Sequence, residues 1–321
     1  MLNPVLLSVP MVILLISILL DQMFGEPGNR YHPVAFIGRT IEWVDPFFRH
    51  LKGEKYGGIL IVLAVTGFFV SLILIIQYVS TISIFIYVAL SAIMLKFSFS
   101  LRSMKDHVIP VIESIESGHL DEARQKTSMI VRRDTSALDS GLLCSAAIET
   151  IGEGFVDGVT GPLFYYPFLG VAGSFIQRII NTFDSMIGYR DQRNLKFGWF
   201  AAKSDTVLNF IPARLGAFFI WSAARIRGHN AHFRSVISES SKTESRNGGW
   251  PMGSMAVSLG VKLEKKGYYT LGNVTRTPGT EDVREALSIY MLAFWLYILI
   301  YVMPATFLIL FLLHSIVPFY W

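Results

Sequence analysis

Glu149, Glu153 and Asp157 follow one another at i, i+4 and i+8, so on a helix they stack three carboxylates on one face. Three like charges in a row repel, and an apolar surround makes each of them more expensive to keep. A bound cation or an incoming cationic group relieves that cost. Oxygen ligands of this kind suit Mg²⁺, commonly held by one or two carboxylates together with substrate phosphate. The competing expectation is that the acids pair structurally with Arg132, Arg133 or Arg178. Charge at membrane depth is costly unless it is used, which favours the functional reading.

Two further sets have the same character. Gln177, Asn181, Asp184 and Gly188 recur at helical spacing and lead into Tyr189, Arg190 and Arg193. Asp205 is followed one turn later by Asn209, then by Pro212 and Arg214. Asp and Asn supply oxygen ligands, and Arg grips phosphate or carboxylate with two parallel hydrogen bonds. For Arg190, Arg193 and Lys203 an ordinary membrane-interface cluster is an equal expectation.

Three shorter stretches complete the list of residues able to do chemistry. Arg132-Arg133-Asp134-Thr135-Ser136 reads as a helix N-terminus capped by Asp134 or Ser136, a place for an anion or a plain cap. Gly25-Glu26-Pro27 forms a turn able to aim Asp21 and Glu26 into a site, with His32, before Pro33, as a turn residue rather than a ligand. Arg246-Asn247-Gly248-Gly249-Trp250-Pro251 reads as a tight loop in which Trp250 covers a flat ligand or anchors at an interface.

The elements that must position these residues are membrane segments. Of 321 residues 52% are hydrophobic and 16% charged, against about 25% charged in soluble domains. No charged residue occurs from Gly57 to Leu95, a run about twice the roughly 20 residues that one crossing needs. Two spans are expected there, near 58–76 and 79–97, turning around Gln77 to Ser80. Val5 to Leu20 reads as a retained anchor ending at Asp21. Ala286 to Trp321 reads as two helices divided by Pro304, with Tyr and Trp residues, Trp321 among them, as interface anchors.

Gly141 to Ile180 is apolar but carries Glu149, Glu153, Asp157, Arg178 and seven glycines, and Val207 to Ala224 contains Asn209, Pro212 and Arg214. Such segments are tolerated where they face protein or a wet cavity, so both read as broken or re-entrant and site-forming. Polar stretches at 21–56, 98–140, 181–206 and 225–285 hold most of the 28 Lys and Arg residues. The positive-inside rule places all four in the cytoplasm, which requires 207–224 to dip and return. The expected fold is an all-α integral membrane protein: one polytopic helical bundle over 1–321 with about five to eight membrane segments.

Several function classes drop out. A net charge of +4 without a basic helix interleaved with aromatics gives no nucleic-acid surface. Cys144 is the single cysteine, which excludes an intrachain disulfide and a cysteine-based zinc site. There is no P-loop, no dinucleotide fingerprint, no Gly-x-Ser-x-Gly elbow and no His-Glu-x-x-His helix.

The ordered set of short motifs resembles one family over about residues 16 to 315. The set begins with Leu20-Asp21, Gly25-Glu26-Pro27, His32-Pro33-Val34 and Arg133-Asp134-Thr135. It continues through Glu149-Thr150, Glu153, Asp157-Gly158 and Pro162-Leu163-Phe164, then Asn181-Thr182, Asp184-Ser185-Met186 and Gly188-Tyr189-Arg190. Phe197-Gly198-Trp199, Asp205, Asn209, Ile211-Pro212-Ala213-Arg214, Gly249-Trp250-Pro251, Met255-Ala256 and Leu259-Gly260-Val261 close it. Together these are similar to the CbiB/CobD family of adenosylcobinamide-phosphate synthases, membrane proteins of cobalamin biosynthesis.

The resemblance implies a reaction in which (R)-1-aminopropan-2-ol phosphate, or aminopropanol, is joined by an amide bond to the free carboxylate of adenosylcobyric acid. ATP as co-substrate and Mg²⁺ are implied with it, and the corrinoid is the second substrate. On this reading Glu149, Glu153, Asp157, Asp184 and Asp205 are the acids of the metal or activation site, the first three holding metal. Arg133, Arg190 and Arg214 hold phosphate or carboxylate, Asn181 and Asn209 orient groups, and Asp134, Tyr189 and Trp250 contact substrate. The site is expected at the cytoplasmic edge of the cell membrane, with a second copy or other membrane enzymes of cobalamin assembly as partners.

Two positions depart from the family pattern, Gly154 where an Asn is usual and Thr206 where a second Asp is usual. A corrinoid-binding paralogue weakened at those two positions is one alternative. A transporter or permease, which also uses broken helices and intramembrane acids, is the other.

Overall fold

Backbone groups in lipid have no water to bond, so apolar runs wind into helices that satisfy their own carbonyls. The structure, a computed structural model, describes residues 4–28, 32–51 and 53–316, which are helical apart from loops and one short hairpin. In chain order the helices are α1 (Pro4–Phe24), α2 (Pro33–Arg49), α3 (Glu54–Ser80), α4 (Ile84–Lys96), α5 (Arg102–Glu116), α6 (Leu120–Ser128) and α7 (Ser140–Phe155). A π-helical turn, Val156–Thr160, leads into α8 (Gly161–Ile187), followed by α9 (Trp199–Leu208), α10 (Phe210–Ile226), α11 (Phe233–Ser240) and α12 (Gly249–Leu259). Strands β1 (Leu263–Lys265) and β2 (Tyr269–Leu271) precede α13 (Thr280–Tyr297), a second π turn (Ile298–Val302) and α14 (Met303–Ile316).

These elements form two compact units. The first takes the chain up to Ser100, Gly161–Leu208 and the chain from Ile300; the second takes Leu101–Thr160 and Asn209–Leu299. Three of the boundaries fall where the regular α ladder is interrupted: at each π turn and at Asn209.

In the first unit α8 packs against α2, α3, α4, α9 and α14. It is broken at Gly170, whose φ of 58° and ψ of −146° only glycine adopts cheaply. The Tyr166 hydroxyl donates to the Pro10 carbonyl at 2.7 Å, tying α8 to α1. His32 caps α2, its Nδ1 accepting from the Val34 N–H at 3.1 Å, with Pro33 as the first helical residue. At the start of α3, glycine lets other backbone approach closely. A Cβ on Gly57 would lie 2.3 Å from the Phe48 carbonyl oxygen, and one on Gly58 1.9 Å from that of Phe197.

In the second unit α7 packs against α5, α6, α12, α13 and β1. The Ser254 hydroxyl donates to the Ala217 carbonyl at 2.8 Å, joining α12 to α10. The Tyr297 hydroxyl reaches the Thr160 carbonyl at 3.1 Å, filling the bonding left open by the first π turn. At the rim, Arg284 pairs with Glu116 and Arg227 with Glu285, each at 2.7 Å.

Several sequence expectations change. The stretch 225–285 contains the antiparallel hairpin β1–β2, with Leu263 opposite Leu271 and Lys265 opposite Tyr269. The turn after α3 falls at 81–83 rather than at Gln77 to Ser80, because the apolar ladder continues unbroken to Ser80. The second helix of that pair, α4, has 13 residues, so at 1.5 Å per residue it measures about 20 Å and falls short of the ~30 Å hydrocarbon core.

Among the described residues three helical stretches are able, by length and composition, to cross a membrane, Glu54–Ser80, Ser140–Ile187 and Thr280–Leu313, and a fourth if α9 and α10 count as one broken span. Pro304 lies in the first turn of α14, just after the π turn, so the division expected there is present. Asp139, not Asp134 or Ser136, caps the helix after the paired arginines, its carboxylate accepting from the Leu142 N–H at 2.8 Å. Trp250 and Pro251 belong to the first turn of α12 rather than to a loop, since proline at that position forfeits no helical bond. The expected anchor Trp321 lies outside the described residues.

Candidate active site

Each site residue expected from the sequence falls in one of the two units. Arg133, Asp134, Glu149, Glu153, Asp157, Asn209, Arg214 and Trp250 belong to the second; Asn181, Asp184, Tyr189, Arg190 and Asp205 belong to the first.

In the second unit, helical spacing sets Glu149 and Glu153 on one face of α7, and the two have opposite environments. Glu149 is buried. One carboxylate oxygen accepts from the Ser145 hydroxyl at 2.8 Å and from Arg133 at 3.3 Å; the other accepts from the Tyr269 hydroxyl at 2.9 Å. The hairpin completes this network. The Glu264 N–H donates to Ser145 Oγ at 2.8 Å, and the second Arg133 amino group donates to the Glu264 carbonyl at 3.2 Å. Burial, with the Glu149 and Glu153 charges, pushes the Tyr269 phenol above its ordinary value, so it remains a donor. Glu149 is thus the buried anchor that pins the hairpin to α7.

One turn on, Glu153 is exposed. Gly248 brings loop backbone to it: a Cβ there would stand 3.2 Å from Glu153 Oε1. The Glu149 charge acts on it most among its charged neighbours, followed by Lys265, Arg133 and Arg132. Asp157 lies inside the first π turn, which begins between the second and third acids. The α spacing that aligns Glu149 with Glu153 therefore does not continue to Asp157. Among the described residues no group of three or more His, Cys, Asp or Glu side chains stands close enough to hold a metal ion.

Beside the acids lies an aromatic clamp. The Arg214 guanidinium stacks 3.5 Å from the centre of the Phe210 ring and 4.9 Å from that of Trp250. One of its amino groups donates to the Phe210 carbonyl at 2.6 Å and to Asn247 at 3.4 Å. Asp134 is exposed, and the Ser136 N–H bonded to it holds its carboxyl below the usual range. Asn209 is buried at the start of α10. Gly154, the first departure from the family pattern, has its side-chain space filled by Met104, whose Cε would lie 2.2 Å from an added Cβ. An open groove of about 470 Å³ in this unit is lined by Ile115, Asp139, Cys144 and Thr277 among others, and by none of the expected site residues.

In the first unit Asn181 donates to Asp205 at 3.4 Å, bringing the second and third sets together. The Asp184 carboxylate folds over Gly188, where a Cβ would lie 2.1 Å from its oxygen. Tyr189 donates to the Ser185 carbonyl at 2.9 Å, and Arg190 is exposed. Arg193 pairs with Asp45 at 3.6 Å. The Thr206 hydroxyl bonds back to the Ala202 carbonyl at 2.8 Å.

A second polar group in this unit was only half foreseen. Glu26 pairs with His32 and with the nearly fully buried Lys96, 3.4 Å away. Burial opposes the Glu26 charge, but His32, Lys96 and Arg178 outweigh it and hold the carboxyl below its ordinary range. His32 uses one ring nitrogen on the Val34 N–H and the other on Glu26, as a turn-capping residue does.

Sequence reasoning missed Ser145, Tyr269 and Lys96. Three-residue strands are too short to show alternation, and the only available signal was Gly267 and Gly272 bracketing Tyr268–Leu271. Both glycines have positive φ, 80° and 89°.

Comparison with known proteins is consistent from end to end. A family model described as CobD/Cbib protein matches residues 14–313. The probable cobalamin biosynthesis protein CobD of Thermoplasma volcanium is 42% identical over 92% of this chain and 97% of its own. Its counterpart in Thermoplasma acidophilum is 41% identical over 94% and 100%, and the cobalamin biosynthesis protein CobD of Dehalococcoides mccartyi 35% over 83% and 88%. No solved structure matches the chain. With the family pattern running through both units, this chain belongs to the CobD/CbiB family.

Proposed function

We propose that this chain is an amide-forming synthase of cobalamin biosynthesis, joining (R)-1-aminopropan-2-ol phosphate, or aminopropanol, to the free carboxylate of adenosylcobyric acid at the expense of ATP. The observation that carries the reading is the division of labour on α7: a locked acid, Glu149, beside an accessible one, Glu153, with Arg133 and Lys265 near it. An enzyme that activates a carboxylate with ATP must gather several anions, and cations fixed in place lower that cost. Mg²⁺, when bound through Glu153 and phosphate oxygens, would shield phosphate charge. Arg133 is oriented by Glu149 and the Glu264 carbonyl, so its position costs nothing at the moment of reaction. A carboxylate oxygen first takes a phosphoryl group from ATP, releasing the remainder of the nucleotide. The amine nitrogen then bonds to the carboxyl carbon, the phosphoryl-bearing oxygen departs with its electron pair, and the surplus proton on nitrogen passes to solvent. The Arg214 clamp offers a flat surface of the kind that a planar ligand stacks on. In the first unit, Asn181, Asp184, Asp205, Tyr189 and Arg190 are proposed as further substrate contacts.

The proposal includes a cell-membrane protein with five or more membrane segments: α1, α3, Ser140–Ile187, the α9–α10 pair and Thr280–Leu313. Its polar stretches and site face the cytoplasm. The test is incubation of the purified protein in detergent with adenosylcobyric acid, aminopropanol phosphate, ATP and Mg²⁺, reading the mass of the amide product. The second reading, a transporter, draws support from the helix breaks at Val156–Thr160, Gly170, Asn209 and Ile298–Val302. Corrinoid flux into proteoliposomes with no covalent product would favour it.

A further inference from the structure

Helix α2 of the first unit carries none of the residues assigned to the reaction. Its buried face, Ile37, Ile41 and Asp45, packs on the unit, and α2 contacts both α3 and α8. Phe36, Trp43 and Phe47 are spaced i, i+7 and i+11, which places them in one stripe on the opposite face. They are 56%, 83% and 68% exposed. Three large aromatics in water on one helix face have no energetic justification as a soluble surface.

The position of α2 identifies what covers them. From Arg49 at its end to Glu54 at the start of α3 is five residue steps, which reach at most about 18 Å. Gly57 lets the Phe48 carbonyl of α2 touch the first turn of α3. That turn carries Glu54 and Lys55, and the uncharged run begins directly after Tyr56, so this end of α3 marks a membrane boundary. Tyr56 is 71% exposed there, and Lys55 lies 5.2 Å from the ring of Trp199, which is also exposed. Trp43 and Phe47 near the end of α2, with Tyr56 and Trp199 beside the start of α3, thus supply exposed aromatic rings around this boundary, the residue type that forms belts at membrane–water interfaces. Arg39 on the edge of the stripe lays its guanidinium 4.4 Å over the Phe36 ring, the posture of a side chain that covers apolar surface while its charge reaches headgroups.

We propose that α2 is an interfacial helix, seated in the headgroup–acyl boundary of the membrane that α3 crosses, with Phe36, Trp43 and Phe47 inserted and Arg39 at the phosphate level. This holds whatever reaction the protein catalyses.

The test uses the full chain reconstituted in phosphatidylcholine–phosphatidylglycerol vesicles. The one native cysteine, Cys144, is buried and is first replaced by alanine. Nitroxide labels are then placed by Trp43→Cys and, separately, Phe47→Cys, with Phe68→Cys on α3 and Asp121→Cys on exposed α6 as references. The readout is the collision rate of each label with oxygen against that with a water-soluble nickel chelate. An oxygen-to-nickel ratio at positions 43 and 47 above that at 121 and no higher than that at 68 is expected. A ratio equal to that at 121 overturns the proposal, because the stripe then faces water. Exclusion of both reagents overturns it too, because the stripe is then covered by protein. Phe36→Cys serves as the third probe if either labelled variant fails to fold.

Discussion

Helix α3 and the stretch Ser140–Ile187, which begins with α7, both satisfy the length and composition of a membrane segment, yet they handle their surfaces in opposite ways. In the most apolar window of α3, 22% of the residues are buried, against 67% in that of Ser140–Ile187. From Gly57 to its end α3 has no charge, while α7 carries two glutamates. The difference teaches what an acid in an apolar helix requires. A helix apolar on every side can present most of itself to lipid. One that bears carboxylates must be wrapped by protein able to answer them, and α7 is wrapped by α5, α6, α12, α13 and the hairpin.

The comparison breaks most severely at Glu149. Glu149→Ala takes the carboxylate partner from the half-buried Arg133, and loses the Tyr269 and Ser145 bonds as well. A loss of about 3–5 kcal/mol is expected, read as a lowered thermal midpoint in detergent. A midpoint unchanged from the parent would mean that the hairpin does not depend on this acid.

A smaller effect separates two glycines of α3. Gly58→Ala drives a methyl into the Phe197 carbonyl and is expected to cost about 1–3 kcal/mol. Gly67 has nothing within 4 Å of a new Cβ, so Gly67→Ala gains up to about 1 kcal/mol from helix propensity. Equal midpoints for the two variants would deny that one end of α3 is packed and its middle open.

Gly154→Asn probes the other helix. Met104 is a flexible side chain whose tip can swing away, so stability is expected to stay within about 1 kcal/mol of the parent. Amide formation that rises in this variant would identify the glycine as a weakened ligand position.

The smallest effect concerns pH. Glu26 is held below its ordinary 4.5 in the folded protein. Its contribution to stability is therefore complete above that value and is lost as pH falls through the lower folded value. Glu26→Gln is expected to flatten the acid limb of stability against pH, and an unaltered limb would remove the Lys96 and His32 pairing from the stability of this end of α1.

Much of this was legible in the sequence, for physical reasons that differ by region. The apolar run after Tyr56 declared α3, because a charge-free run of that length is a membrane segment whatever it packs against. The i, i+4 spacing of Glu149 and Glu153 correctly put both on one helical face. Before Asp157 the regular α ladder is interrupted by a π turn, and nothing in Val156-Asp157-Gly158 announces it. Which of two equivalent glutamates is locked was invisible, since the partners that decide it, Arg133, Ser145 and Tyr269, lie 4 to 120 residues away along the chain. The cap at Asp139 was misplaced for a local reason: Asp134 forms its own turn with Ser136 and so does not start a helix.

The measurement that bears most directly on the enzymatic reading is the rate of amide product formation by the parent protein and by Glu153→Gln at matched thermal stability. Glu153 makes no buried bond network of the kind that holds Glu149, so the substitution is expected to leave the thermal midpoint unchanged. The parent is expected to yield the product from adenosylcobyric acid, aminopropanol phosphate and ATP, and the variant to be slower by on the order of a hundredfold. No product from folded parent protein, or an unchanged rate in the variant, would contradict the assignment of chemistry to the accessible acid of α7.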